Sequence, residues 1–169
     1  MLVSIIIMII SFILDGLLTN YLPYGVGNLS LFTPLTTIVA LIIIYMFFYK
    51  NDRTYFIISF ITGFIYDLFY TNLLFLNALL FLLIAFIISK IYKRVDFNFI
   101  WVFLSIILMI VIYETCFAII ITIFNLVPMS FERIIYKISH SIILNVIYGE
   151  VIYLITKLLP KKYKKVMIN

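Results

Sequence analysis

Ile61-Thr-Gly-Phe-Ile-Tyr-Asp67-Leu-Phe-Tyr-Thr-Asn72 is an apolar run that reads as a helix and carries one carboxylate. Phe64, Ile65, Tyr66, Leu68 and Phe69 surround Asp67 in the chain, a setting where a soluble protein rarely places an acid. In a membrane helix such a residue costs roughly 2.5–3.5 kcal/mol on insertion scales unless protein or water shelters it. Gly63 lies four residues earlier, so the two fall on nearly the same helix face. A small residue there lets another helix approach closely, and that interface would shelter the acid. Two roles are open for Asp67. It is either a buried acceptor that locks helices together or a proton, ion or ligand site, and the first is the favoured reading.

The rest of the chain supplies the membrane context. Of its 169 residues 66% are hydrophobic and only 11% are charged, and the mean hydropathy is +1.28. Ordinary soluble domains are roughly half apolar and about 25% charged, so this composition describes an integral membrane protein. No polar or Gly/Ser-rich linker divides it, which predicts one domain over residues 1–169. The net charge of +5 is no nucleic-acid footprint, because the basic residues sit in short clusters between apolar runs. The single cysteine, Cys116, lies inside an apolar run; no intramolecular disulfide can form and it reads as a packing residue. The N-terminus lacks a positive n-region and a small-residue cleavage site, so the first run is expected to be a retained helix.

Six spans are expected, at about 2–19, 32–49, 54–70, 73–89, 97–127 and 132–158, giving an all-α polytopic bundle. Each is compatible with the 17–25 residues needed to cross ~30 Å of hydrocarbon, and the fifth should tilt or protrude. The third and fourth are shortest, which leaves a re-entrant hairpin open there. Pro34 is expected in the first turn of span two, where its missing N–H does little harm. Thr71-Asn72 reads as a tight turn and Ser130 as a helix cap. No repeat between the halves is legible. Lys50, Arg53, Lys90, Lys93, Arg94, Lys157, Lys161, Lys162, Lys164 and Lys165 all fall on one side of six spans, out of 12 Lys and Arg in all. The positive-inside rule makes that side the cytoplasm and puts both termini there.

Depth follows at ~1.5 Å per helical residue. Asp15, Asp67, Glu114, Lys137 and His140 then share the outer half of the membrane, which predicts one polar cluster inside the bundle. Span six adds a polar stripe, with Arg133, Lys137, His140, Ser141, Asn145 and Tyr148 at three- and four-residue steps. Lys137 is expected to pair with Glu114 or Asp67, or else to snorkel to the outer interface. His140 alone reads as a hydrogen-bonded bundle residue. Enzyme and cofactor motifs are missing: one histidine and one cysteine make no usual zinc site, and there is no phosphate loop, nucleophile elbow or dinucleotide fingerprint. Asp15 and Asp67 lack the motif support of an intramembrane acid protease. The expectation is a non-enzymatic protein without a cofactor.

The segment Phe60-Ile-Thr-Gly-Phe-Ile-Tyr-Asp-Leu-Phe-Tyr-Thr-Asn-Leu-Leu74 resembles the Gly-Phe-x-Tyr-Asp hairpin of the rod shape-determining protein MreD family. The basic stretch Ser89-Lys-Ile-Tyr-Lys93 is similar too, as are Pro34, Glu114, Ile142-Ile-Leu-Asn145, the length and the basic tail. The family often has glycines in and after that turn, where this chain has Asn72 and Phe75. The resemblance implies a scaffold subunit of the cell-elongation machinery, partnered by MreC and working with MreB and the peptidoglycan synthases. It also implies a fold like the substrate-binding membrane subunits of energy-coupling-factor transporters. The competing expectation is a solute-binding transport subunit whose outer-half pocket is lined by Asp67, Glu114 and His140. If Asp67 is a structural acceptor, the near-isosteric Asn is expected to preserve folding, whereas a proton- or cation-coupled site would lose its activity with Asn.

Overall fold

A computed structural model describes residues 2–21, 34–48, 51–71, 73–94, 99–125 and 130–160. Six helices make up most of those residues: α1 (Leu2–Tyr21), α2 (Thr36–Phe48), α3 (Asp52–Tyr70), α4 (Leu76–Tyr92), α5 (Phe99–Ile123) and α6 (Phe131–Leu158). Three of them, α1, α5 and α6, are long and apolar enough to cross a membrane, while α2 and α4 are shorter apolar helices.

The bundle is built around α2. Every residue from Thr36 to Phe47 is buried, as expected for a helix that is apolar all round and has no polar face to give to water. Helices α1, α4, α5 and α6 pack against it, and the Tyr55 hydroxyl of α3 donates to the Leu41 carbonyl at 3.0 Å. The surrounding helices bury narrow stripes at three- and four-residue steps. These are Ser4, Met8, Ser11 and Asp15 on α1, Tyr55, Ser59, Gly63 and Asp67 on α3, and Ser141, Asn145, Gly149 and Tyr153 on α6. Their opposite faces expose Ile5, Ile9 and Ile13, then Ile57, Ile61 and Ile65, then Ile143 and Ile147. Small and polar residues point inward and branched aliphatics outward, the arrangement that hydrocarbon solvent favours.

Contacts at the basic end join α3 to α4. Asp52 pairs with Lys93 and accepts from the Tyr45 hydroxyl at 3.0 Å. Asn51 caps α3 by accepting from the Arg53 N–H at 3.0 Å. Ser130 caps α6, accepting from the Arg133 N–H at 3.3 Å, as its place in the sequence predicts.

Two sequence expectations shift. Pro34 lies before α2 and not in its first turn, because the helix starts only at Thr36, where other helices receive its free N–H groups. Helix α4 starts at Leu76 and runs to Tyr92, three residues later at each end than the 73–89 expected. The delay has a local cause: Phe75, its N-cap, adopts a left-handed backbone with φ 69°, which ends the turn before the helix begins. Residues 22–33, expected as a loop in the sequence, and Lys50, Asn72, Asp96, Pro128 and residues 161–169 lie outside the described residues.

Candidate functional site

An α-helix leaves its first N–H groups without intrahelical partners, and inside a membrane no water is at hand to take them. The start of α2 is buried and meets this need with side chains from other helices. Asp15 of α1 accepts on Oδ1 from the Thr36 N–H at 2.6 Å and the Thr36 hydroxyl at 2.8 Å. Its Oδ2 accepts from the Thr37 N–H at 3.0 Å and the Thr37 hydroxyl at 2.6 Å. Asn145 of α6 takes the preceding donor, with its Oδ1 2.8 Å from the Leu35 nitrogen, and anchors itself by donating from Nδ2 to the Ser141 carbonyl at 2.7 Å. The Ile38 N–H closes back on the Leu35 carbonyl at 3.0 Å. Every backbone donor from Leu35 to Ile38 is thereby satisfied.

Asp67 does the same for α4. Its Oδ1 accepts from the Asn77 N–H at 3.0 Å, the Asn77 side-chain amide at 2.8 Å and the Thr71 hydroxyl at 2.9 Å. Its Oδ2 accepts from the Ala78 N–H at 3.1 Å. The network extends to α5, because the Tyr113 hydroxyl donates to Asn77 Oδ1 at 2.7 Å. Gly63 makes the approach possible: a Cβ built there would lie 2.5 Å from the Asn77 carbonyl oxygen and 2.7 Å from Ala78 Cα. The backbones of α3 and α4 touch at this point, one turn from the carboxylate. In both sites a carboxylate meets the positive end of a helix dipole, and each contact places the acid in the accepting role.

Glu114 faces α6 less tightly. The Ser141 hydroxyl reaches its Oε1 at 3.5 Å, and Lys137 Nζ lies 3.9 Å from Oε2 while sitting 5.6 Å from the Phe117 ring centroid. Lys137 therefore adjoins Glu114, and Asp67 has no ion pair among the described residues. Among the described residues the contacts of His140 lie within its own helix. Its ring stacks on Tyr136 at 3.9 Å and its Nδ1 lies 2.8 Å from the Tyr136 carbonyl. The three acids serve three different helix contacts, and all three lie within electrostatic reach of the Tyr113 hydroxyl. Asp15, Asp67 and Glu114 each lie past the midpoint of their helix, α1, α3 and α5, and face the helix that follows in the chain.

Thr36, Thr37, Asn77 and Tyr113 belong to these contacts although sequence reading did not single them out. A Thr-Thr pair two residues after Pro34, and an Asn just after a turn, are helix-start signals; Asp15 and Asp67 stand out as membrane acids, but nothing local shows which helix start each one receives. The Ser11 and Tyr148 hydroxyls, 2.6 Å apart, add a further link between α1 and α6.

This chemistry is that of fixing helices to one another. Among the described residues no group of three or more His, Cys, Asp or Glu is placed to hold a metal ion. Clefts among the described residues lie between the helices. One, between α1 and α3, is lined by Met8, Ile9, Phe12, Ile58 and Ile61. A second, beside Phe75, lies between α4 and α5 and includes Leu79, Ile120 and Phe124. A third lies at the opposite end of the same pair, by Lys90 and Arg94.

No individual curated protein and no solved structure matches the chain. The family model described as rod shape-determining protein MreD matches residues 2–163. The stretch that carried the resemblance, residues 60–74, runs from the second half of α3, with Gly63 and Asp67, to just before the start of α4. The chain is a membrane protein of the rod shape-determining MreD family.

Proposed function

We propose that this protein is a non-enzymatic scaffold of the cell-elongation machinery in the cytoplasmic membrane. On this reading it binds the transmembrane helix of an MreC-type partner and, through it, MreB and the peptidoglycan synthases. The observation that carries the proposal is the use made of the membrane acids. Both oxygens of Asp15 and both of Asp67 are committed to the starts of α2 and α4, which suits a rigid body better than a site that must release a ligand. The apolar clefts between α1 and α3 and beside Phe75 suit a hydrophobic helix as occupant. The reading includes six spans with both termini in the cytoplasm, and a bundle akin to the substrate-binding subunits of energy-coupling-factor transporters.

The test is co-expression with an MreC-type protein, purification in mild detergent, and identification of the proteins and small molecules that accompany the chain. The partner is expected at a fixed ratio. A chain that stays folded, never retains the partner and carries a stoichiometric small solute would favour a transport subunit instead.

A further inference from the structure

At the basic end of the bundle a cleft of about 390 Å³ opens between the end of α4 and the beginning of α5. Its rim carries Lys90 and Arg94, its wall Trp101, Leu104 and Leu108, and its floor the buried Ser105. We propose that this cleft binds one anionic glycerophospholipid, the phosphate between Lys90 and Arg94 and an acyl chain along α5.

Several observations converge on that occupant. Lys90, in the last turn of α4, and Arg94, two residues past its end, both line the cleft. Among the described residues neither meets a carboxylate. Their neighbour Lys93, by contrast, is already paired with Asp52. Lys90 Nζ lies 5.3 Å from the Phe86 ring centroid, a contact that holds the ammonium near the helix without neutralising it. Among the described residues that line the cleft none is an acid, and the two cations are complementary to a phosphate. Compensating the negative end of the α4 dipole accounts for basic residues at this end, but not for the apolar trough beside them.

The trough accounts for the lipid tail. Trp101, Leu104 and Leu108 are 41%, 46% and 45% exposed and recur at three- and four-residue steps on one face of α5. They span roughly 10 Å along the axis at ~1.5 Å per residue, the length of several methylene groups. Trp101 lies beside the cations, where an indole suits the boundary between headgroups and hydrocarbon. A soluble phosphate would use the cations and leave the trough empty; a phospholipid uses both. Basic pockets between membrane helices are a recognised form of lipid headgroup site.

Trp101 is the chain's one tryptophan, so it reports on the cleft directly. The full chain would be reconstituted in phosphatidylcholine nanodiscs containing a small fraction of lipid brominated on its acyl chains. The brominated lipid is either phosphatidylglycerol or phosphatidylcholine, and quenching of Trp101 is measured for each. Both leaflets carry the lipid, so orientation does not enter, and no partner protein is needed. Phosphatidylglycerol is expected to quench at lower mole fraction, with a preference of about 5-fold for each cation engaged. Lys90→Gln with Arg94→Gln should abolish the preference, and Lys93→Gln should retain it. Equal quenching by the two lipids in the unmodified chain overturns the proposal. So does a preference that survives the double substitution, or one that falls as far with Lys93→Gln, which would mark a diffuse surface charge.

Discussion

Replacing Asp67 by Asn and by Ala separates a helix-start acceptor from a merely polar core residue. In the Asn variant the amide oxygen can keep the three donors now on Oδ1, from Asn77 N–H, Asn77 Nδ2 and Thr71 Oγ1. The amide nitrogen then faces the Ala78 N–H, which loses its acceptor at 3.1 Å. One orphaned buried donor costs about 1–3 kcal/mol, and loss of the charge at the α4 dipole adds about 0.3–1 kcal/mol. Asn is therefore not the neutral substitution that its shape suggests. In the Ala variant three buried donors are orphaned, the Asn77 and Ala78 N–H groups and the Asn77 side-chain amide, at about 3–9 kcal/mol together, and the dipole term is lost as well. The ratio is the signature: Ala should destabilise roughly two to three times as much as Asn. Unfolding in mixed micelles with increasing SDS, followed by Trp101 fluorescence and helical circular dichroism, measures both. An Asn variant as unstable as Ala, or an Ala variant as stable as the original chain, would refute the capping argument. Function adds a separate reading: an Asn variant that assembles fully with its partners yet fails in rod-shape complementation would overturn the scaffold role.

Gly63→Ala should destabilise by about 1–3 kcal/mol, the usual range for overpacking, because its new Cβ meets backbone atoms of Asn77 and Ala78. Gly149→Ala should cost less in the same unfolding assay, since its nearest obstacle is the flexible tip of Ile106. Asn145→Leu should cost about 1–3 kcal/mol by stranding the Leu35 N–H, whereas Asn145→Asp keeps an acceptor there and should be milder; thermal melts of detergent-solubilised protein compare them. Topology is checked with a chain in which Cys116 is replaced and a single cysteine is placed in the 161–169 tail. That cysteine should resist a membrane-impermeant thiol reagent in intact cells and react after permeabilisation.

The sequence makes the periodic features legible. Gly63 and Asp67 share a face of α3, and the structure extends that buried face to Tyr55 and Ser59 at the same spacing. Ser130 is recognisable as a cap because its partner, Arg133, is three residues away. Asp15 is conspicuous for the same reason as Asp67: an acid stands out in isoleucine. Its role is not legible, because Thr36 and Thr37 lie across a long connection, and nothing local shows which helix start a distant carboxylate receives. The expectation that His140 joins the acids rested on depth and on its place in the polar stripe of span six. Depth says nothing of azimuth, and the ring turns back on Tyr136 within its own helix. The left-handed Phe75 has no sequence warning, since that backbone region ordinarily selects glycine or asparagine.

The position of α2 bears on how the chain enters the bilayer. At 13 residues and ~1.5 Å rise per residue it extends only about 20 Å, well short of a ~30 Å hydrocarbon layer. Alone in lipid it would present open N–H groups at its start, and α1 alone would present a bare carboxylate. Each defect is the remedy for the other. The unit that hydrocarbon can accept is then the α1–α2 hairpin, and likewise α3–α4, so an insertion machine must hold the first helix of each pair until the second has been made. A ribosome pausing between Asp15 and Thr36 would expose α1 in its least lipid-compatible form, and the chain's yield should depend on how quickly that interval is translated.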